Sequence, residues 1–243
     1  IKSRAVRTVI EGLYKRIFRL SNAVMFVNSD DPEYLLQKGI IDPKKIFKIN
    51  GVGIDTKEWS KKERAKEPLT VVMVARLIRH KGVLEYLEAC NNLKAKYPNV
   101  RFLYVGGEDF GNHSSLKKEI FNDFSGVEYL GEQSDIKGIL QNSHIFALPS
   151  YREGLPRTAL EAMSMELAVV GADACGTRDV IKNEKNGLLV PIKDSKALES
   201  ALERLITDEK LRKKLADAGR ERCVKEYDIK PIVKAHLRVY GLA

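Results

Sequence analysis

Cysteine is scarce in this chain. The three present, Cys90, Cys175 and Cys223, are odd in number, far apart and outside any C-x-x-C pair. That argues against a disulfide framework and for a reduced, cytoplasmic setting. The four histidines, His80, His113, His144 and His236, are equally scattered; without H-x-x-x-H or H-E-x-x-H spacing, no metal site is expected from them. No apolar run approaches the roughly 18 residues needed to cross a bilayer, and the opening IKSRAVR lacks the apolar core of a signal peptide. The missing initiator Met reads as an excerpt from a longer chain. Two phosphate fingerprints are missing as well. Without G-x-x-x-x-G-K-[ST] a P-loop NTPase is excluded, and without G-x-G-x-x-G a nicotinamide-type dinucleotide site has no support. Wholesale disorder is excluded too, because 44% of the 243 residues are hydrophobic, enough for a core.

What is abundant is positive charge. Lys and Arg number 42 against 33 Asp and Glu, a net +9. Residues 1–20 concentrate it: Lys2, Arg4, Arg7, Lys15, Arg16 and Arg19 face Glu11 alone. In the same stretch Val6, Val9, Ile10, Leu13, Ile17 and Leu20 recur at spacings of three and four, which predicts an amphipathic helix. The bland reading is a helix packed on its own domain with a solvated basic face; the other is peripheral contact with an anionic membrane surface. Nucleic acid is not an expected partner, since the basic residues lack interleaved aromatics and any known module pattern.

Along the chain, apolar runs at 23–29 and 45–50 read as strands on either side of a helix over 33–38. Gly51-Val52-Gly53 breaks regular structure, and the charged stretch 57–68 is the best linker candidate. Beyond it strands are predicted at 69–75, 101–105, 127–130, 144–148, 168–171 and 187–190. Helices are predicted at 82–97, 114–124, 135–142, 156–165, 195–207 and 209–227. Apolar runs without period-two alternation, separated by helices, predict a parallel sheet covered on both faces: an α/β, doubly wound, Rossmann-like domain. The tail 228–243, with Pro231 at a helix start, reads as a terminal helix that leaves this domain.

A doubly wound sheet binds ligands beyond the carboxyl ends of its strands, so the loops there carry the candidate chemistry. After 69–75 the chain reads Arg76-Leu77-Ile78-Arg79-His80-Lys81-Gly82, a cluster of cations leading into a helix N-terminus, suited to a phosphate or diphosphate or simply to solvent. Gly106-Gly107 followed by Gly111 is a flexible loop with no specific signal. After 144–148 comes Pro149-Ser150-Tyr151-Arg152-Glu153-Gly154-Leu155-Pro156, where Gly154 permits a tight turn and Pro156 suits a first helical turn. Glu153 precedes the helix; Glu161 lies about two turns into it, near 10 Å along the axis. Two acceptors so spaced suit two hydroxyl-bearing parts of one elongated ligand, such as a sugar and a ribose.

The string LPSYREGLPRTALEAM, with NGVGID at 50–55, VARLIRHKG at 74–82, YLGEQSD at 129–135 and GTRDVIKNEKNGLLV at 176–190, resembles the signature of retaining glycosyltransferase family 4. That resemblance runs from about residue 21 to the end and is strongest to the bacterial enzymes of capsule, O-antigen and other envelope polysaccharides. It implies the GT-B fold, with residues 1–56 the remnant of an N-terminal acceptor domain, 57–227 the nucleotide-sugar donor domain and 228–243 a helix crossing back. It places the family's E-x7-E motif on Glu153 and Glu161, and its diphosphate-binding Arg-x4-Lys on Arg76 and Lys81. Arg76, Lys81 and Glu153 would then be catalytic. Gly154, Leu155 and Glu161 would join them in donor binding, with Glu153 on sugar hydroxyls and Glu161 on the ribose. It implies no metal or other cofactor, a nucleotide-sugar donor (UDP first, GDP next), a glycan or lipid-linked acceptor, and a cytoplasmic setting at the inner membrane face. The resemblance leaves two alternatives: a non-catalytic sugar-nucleotide-binding module or subunit, and a GT-B-type sugar-nucleotide epimerase. One local departure concerns Glu166 and Ala168, which stand where the family usually has a helix-ending Gly and a Pro, so the turn after Met165 is expected to differ.

Overall fold

The structure, a computed structural model, describes residues 4–63 and 65–242; Lys2 and Ala243, which the predicted first helix and tail include, lie outside the described residues. The chain begins with α1 (Arg4–Leu20), β1 (Val24–Phe26), α2 (Asp30–Gln37) and β2 (Ile46–Lys48). β1 and β2 pair in parallel, with Val24 opposite Ile46 and Phe26 opposite Lys48. Leu35, Ile40 and Ile41 form a small core with Phe18, Val24, Phe26 and Ile46. β1 stops short of its apolar run because Asn28 turns the chain: its Oδ1 accepts from Asp31 N at 2.9 Å and its Nδ2 donates to Asp31 Oδ2 at 2.8 Å. That side-chain turn starts α2 at Asp30, three residues earlier than the sequence suggested. α1 is less packed than a helix seated on its own domain. Ile10, Glu11 and Phe18 are half-buried, while Val9, Leu13, Ile17 and Leu20 are exposed.

The second, larger body contains β3 (Thr70–Val74), α3 (Val83–Lys96), β4 (Arg101–Val105), β5 (Glu128–Tyr129), α4 (Ile136–Gln141), β6 (Ile145–Leu148), α5 (Arg157–Ser164), β7 (Ala168–Ala172), α6 (Thr177–Val180), β8 (Leu188–Val190), α7 (Ser195–Thr207) and α8 (Glu209–Glu226), followed by α9 (Ile229–Val239). Its six strands are parallel in the order β5-β4-β3-β6-β7-β8. Alternate residues of β3 enter different cores. Val71 and Met73 pack with Tyr86, Tyr104 and Leu202 on one face, and Val72 with Leu103, Phe146 and Met163 on the other. With both faces covered, both positions of the pleat must be apolar, which is why the strands read as unbroken runs.

The predicted helix over 114–124 is not α-helical. Residues 114–116 are drawn alongside the segment after β3, with Arg79 N donating to Ser114 O at 2.9 Å and Leu116 N to Leu77 O at 2.8 Å. Only Lys118–Asp123 coil, as a 3-10 turn. The described residues of the 57–68 stretch are irregular but fastened: Ser164 Oγ donates to Trp59 O at 2.6 Å, and Lys62 N to Gln141 Oε1 at 3.0 Å. Just before it, Ile54 is buried in the larger body's core and exchanges backbone hydrogen bonds with the start of the tail, Ile54 N to Tyr227 O at 3.0 Å and Ile229 N to Ile54 O at 2.9 Å.

The two bodies are tied at Asp179. Its buried carboxylate accepts from Ser29 N at 3.1 Å, Ser29 Oγ at 2.7 Å and Lys48 Nζ at 2.8 Å. Burial pushes this carboxyl up, but Lys48 and the two Ser29 donors outweigh it and hold it below the ordinary value. A depressed carboxyl contributes stability above the ordinary aspartate range and loses it as pH falls through the folded value. Asp179→Asn is expected to destabilise the chain by about 1–3 kcal/mol at neutral pH, with the gap to wild type narrowing as pH falls below the ordinary aspartate value of about 3.9, read from urea denaturation at neutral and acid pH.

The turn after α5 keeps the geometry that a glycine would supply. Glu166 takes it up with φ 57°, Leu167 N donating back to Ala162 O at 3.0 Å and the Glu166 carboxylate pairing with Lys61 at 2.8 Å. A left-handed conformation costs a side-chain-bearing residue about 1–2 kcal/mol, more than this surface pair returns. Glu166→Gly should therefore raise stability by about 0.5–1 kcal/mol after the entropy of the unfolded glycine is counted, measured as a higher urea midpoint with unchanged slope.

Candidate functional site

Parallel pairing delivers the ends of β3, β4, β6 and β7 to one edge of the sheet, and the loops that follow are locked to one another. Gly82, which caps α3, sits at φ 75° with its Cα so near the β6 loop that a Cβ would lie 2.2 Å from Pro149 O. Only glycine fits both the conformation and the approach. Tyr151 N then donates to His80 O at 2.9 Å, and Glu153 N to Cys175 O at 3.0 Å. The Tyr151 hydroxyl reaches Glu85 in the first turn of α3 at 2.6 Å. Backbone and side chain together fix the 149–156 loop between the β3 and β7 loops.

That fixing sets the charged groups. Lys81 Nζ lies 2.7 Å from Glu153 Oε1, both side chains largely buried. Arg76, from the same loop as Lys81, is instead held by Asp109 Oδ2 at 2.5 Å, on the loop after β4. Gly154 lies beside Val27, and Leu155 packs against Gly51, so this loop faces the smaller body. Arg152 pairs with Asp31 and Arg178 with Asp30 at 3.5 Å across the same seam. Among the sequence-derived residues, Lys81 and Glu153 are brought into contact, whereas Arg76 and Glu161 each have other partners.

Glu161 is nearer the helix start than the sequence placed it. Because α5 begins at Arg157, Glu161 stands about one turn in, roughly 6 Å along the axis. Its carboxylate is 7% exposed and pairs with Arg157 Nε at 2.9 Å. Burial raises its carboxyl above the ordinary range, against the opposing pull of Arg157. The N-termini of α3 and α5 both open on this edge, adding positive potential to Arg76 and Lys81. The arrangement can take a dianionic group on two cations while carboxylates at 153 and 161 accept hydroxyls on either side. Asp109 escaped sequence reasoning: it sits inside the GGEDFG stretch, which carries no recognisable pattern, and only the fold shows it opposite Arg76. Among the described residues no group of three His, Cys, Asp or Glu side chains is placed to hold a metal ion.

Comparison with known proteins gives a consistent picture. The family described as Glycosyl transferases group 1 matches residues 55–222. The chain is 36% identical over 253 residues to the N,N'-diacetylbacillosaminyl-diphospho-undecaprenol alpha-1,3-N-acetylgalactosaminyltransferase of Campylobacter jejuni, covering 98% of this chain and 65% of that protein. It is 28% identical to the UDP-Gal:alpha-D-GlcNAc-diphosphoundecaprenol alpha-1,3-galactosyltransferase of Escherichia coli, covering 94% and 62%. The crystal structure of Anabaena Alr3699/HepE in complex with UDP superposes with a TM-score of 0.82 at 20% identity, over 93% of this chain and 65% of that one. The fold is thus shared, and the chain spans somewhat less than two thirds of these proteins' length.

A buried carboxyl with a raised pKa contributes stability below the ordinary glutamate range and loses it as pH rises through the folded value. Ionised Glu161 therefore weighs against the free fold at neutral pH. Glu161→Gln should leave the free protein as stable or more stable at pH 7, with that advantage shrinking near pH 4, as read from thermal denaturation at the two pH values.

Proposed function

The chain belongs to the glycosyl transferases group 1 family, and from that premise we propose that it supplies the donor half of a glycosyltransferase that moves a sugar, with retention, from a nucleoside diphosphate, UDP foremost, to a lipid-linked or glycan acceptor in envelope polysaccharide synthesis. The observation that carries this reading is the meeting of Lys81 and Glu153 at 2.7 Å, beside Arg76, on a sheet edge where two helix N-termini open. When the bond between the sugar's anomeric carbon and the diphosphate oxygen breaks, the electron pair leaves with the diphosphate, and positive charge grows on the sugar ring. Fixed cations lower that barrier without reorganising, and one preorganised group of this kind contributes roughly 3 kcal/mol. Arg76 and Lys81 take this part in the proposal, in place of a divalent metal. Glu153, Gly154 and Leu155 line the sugar side, and Glu161 accepts the ribose hydroxyls.

The acceptor side rests on the smaller body. Two of the relatives are named for undecaprenol diphosphate acceptors, and α1 exposes both basic residues and an apolar row. That combination supports peripheral contact with the anionic cytoplasmic face of a membrane.

Calorimetric titration with UDP, GDP and ADP tests the donor reading, with micromolar binding of one of them expected and binding of none overturning it. Lys81→Ala is expected to weaken the bound diphosphate at least about tenfold while leaving the matching nucleoside unchanged. Equal losses for both would remove Lys81 from the phosphate role.

A further inference from the structure

Phe110 stands on the loop after β4 with 91% of its surface exposed. A lone exposed aromatic on a free loop tip would call for no explanation, but this loop is not free. At its start Gly106 (φ 143°) passes Ala75 so closely that a Cβ would lie 1.8 Å from the Ala75 carbonyl oxygen. Leu77 N then donates to Gly107 O at 2.8 Å, and Arg79 N to Ser114 O at 2.9 Å. Around the ring itself, Asp109 N donates to Ser115 Oγ at 3.1 Å and Asn112 N to Asp109 O at 3.0 Å. The residue immediately before the ring is the one whose carboxylate holds Arg76 at 2.5 Å. An ordered backbone thus presents a flat apolar face to water, one residue from the counter-ion of the proposed diphosphate cation.

We propose that Phe110 is the face against which a ring of the donor packs, nucleobase or pyranose, once the diphosphate rests on Arg76 and Lys81; this rests on the donor reading above. An aromatic ring stacks on any base, and it packs equally on the C–H face of a hexose, displacing water from both surfaces. Because the loop is already tied down, docking a ring there orders little additional chain. Arg76 and the ring lie on adjoining loops that share backbone hydrogen bonds, so an anion on the cation brings its attached ring system to the same corner of the edge. Displacement of Asp109 by the diphosphate opens that corner from the charged side.

The test compares the 243-residue chain with Phe110→Ala and Phe110→Tyr, by calorimetry, against inorganic pyrophosphate, UDP, GDP, ADP and UDP-N-acetylglucosamine. The side chain is exposed, so the variants are expected to fold as wild type, checked by circular dichroism. Phe110→Ala should bind pyrophosphate as wild type does. It should lose at least about fivefold in affinity for the nucleoside diphosphate that wild type binds, with Phe110→Tyr retaining it, if the base is the packed ring. If the sugar is the packed ring, the loss appears with UDP-N-acetylglucosamine and not with UDP. Wild-type binding that Phe110→Ala leaves unchanged for every ligand overturns the inference while the donor reading stands. Wild type that binds none of the nucleotides overturns the donor reading, and this inference with it.

Discussion

Everything at the candidate site depends on the backbone approach of Gly82 to the Pro149 carbonyl. The strands β3 and β6 are adjacent and parallel, so their following loops would lie near each other in any case, but nearness alone does not fix a side chain. The contact removes the freedom left to both loops. Lys81 is one residue before it and Glu153 four residues after its partner, and the hydrogen bond from Tyr151 N to His80 O closes the interval between. The ion pair at 2.7 Å is a consequence of this packing more than a cause of it. A partly buried pair recovers little beyond the desolvation it suffers.

The distribution of charge follows from the same constraint. Placing Arg76 and Lys81 on one short loop, beside the N-termini of α3 and α5, collects positive potential where water is partly excluded. The free protein answers with carboxylates from two different loops, Asp109 for Arg76 and Glu153 for Lys81. These carboxylates hold the cations in place, so in the proposed donor site a dianion would trade one set of charge-assisted contacts for another. Glu161 is different. Its raised pKa reflects burial that Arg157 only partly offsets.

Much of this was legible in the residues. The unbroken apolar runs predict a parallel sheet because both faces are covered, and Val71, Val72 and Met73 show the reason directly by entering opposite cores in turn. The predicted strand ends located the loops that the fold brings to one edge, and the family resemblance picked out Arg76, Lys81 and Glu153 on them. The failures have different causes: backbone hydrogen bonds taken by distant chain, a side chain that turns its own segment, and a side-chain partner far away in sequence. Residues 114–116 have helix-compatible side chains, yet their peptide groups are taken by Leu77 and Arg79, a partnership that no local pattern encodes. β1 ends early because Asn28 captures Asp31. Asp109 went unrecognised because its side-chain partner, Arg76, lies 33 positions away. At Glu166 the departure from a glycine leaves the turn itself intact, with a side-chain-bearing residue held at φ 57°.

The seam between the two bodies repeats the logic of the site on a larger scale. Arg152, from the loop after β6, and Arg178, on α6, meet Asp31 and Asp30 at the start of α2, while Asp179 takes Ser29 and Lys48. Each body therefore contributes both signs of charge. The pairs are unequal in burial. Arg152 and Arg178 are substantially exposed, so their ties are weak and exchangeable with solvent. Asp179 is nearly covered, and its three donors come from one body while its backbone carbonyl accepts from Arg222 and Tyr227 of the other. The seam thus has one buried, fully bonded point with exposed ion pairs around it. Gly154 and Leu155 lie on the seam itself, one and two residues past Glu153, whereas the Lys81–Glu153 pair is internal to the larger body.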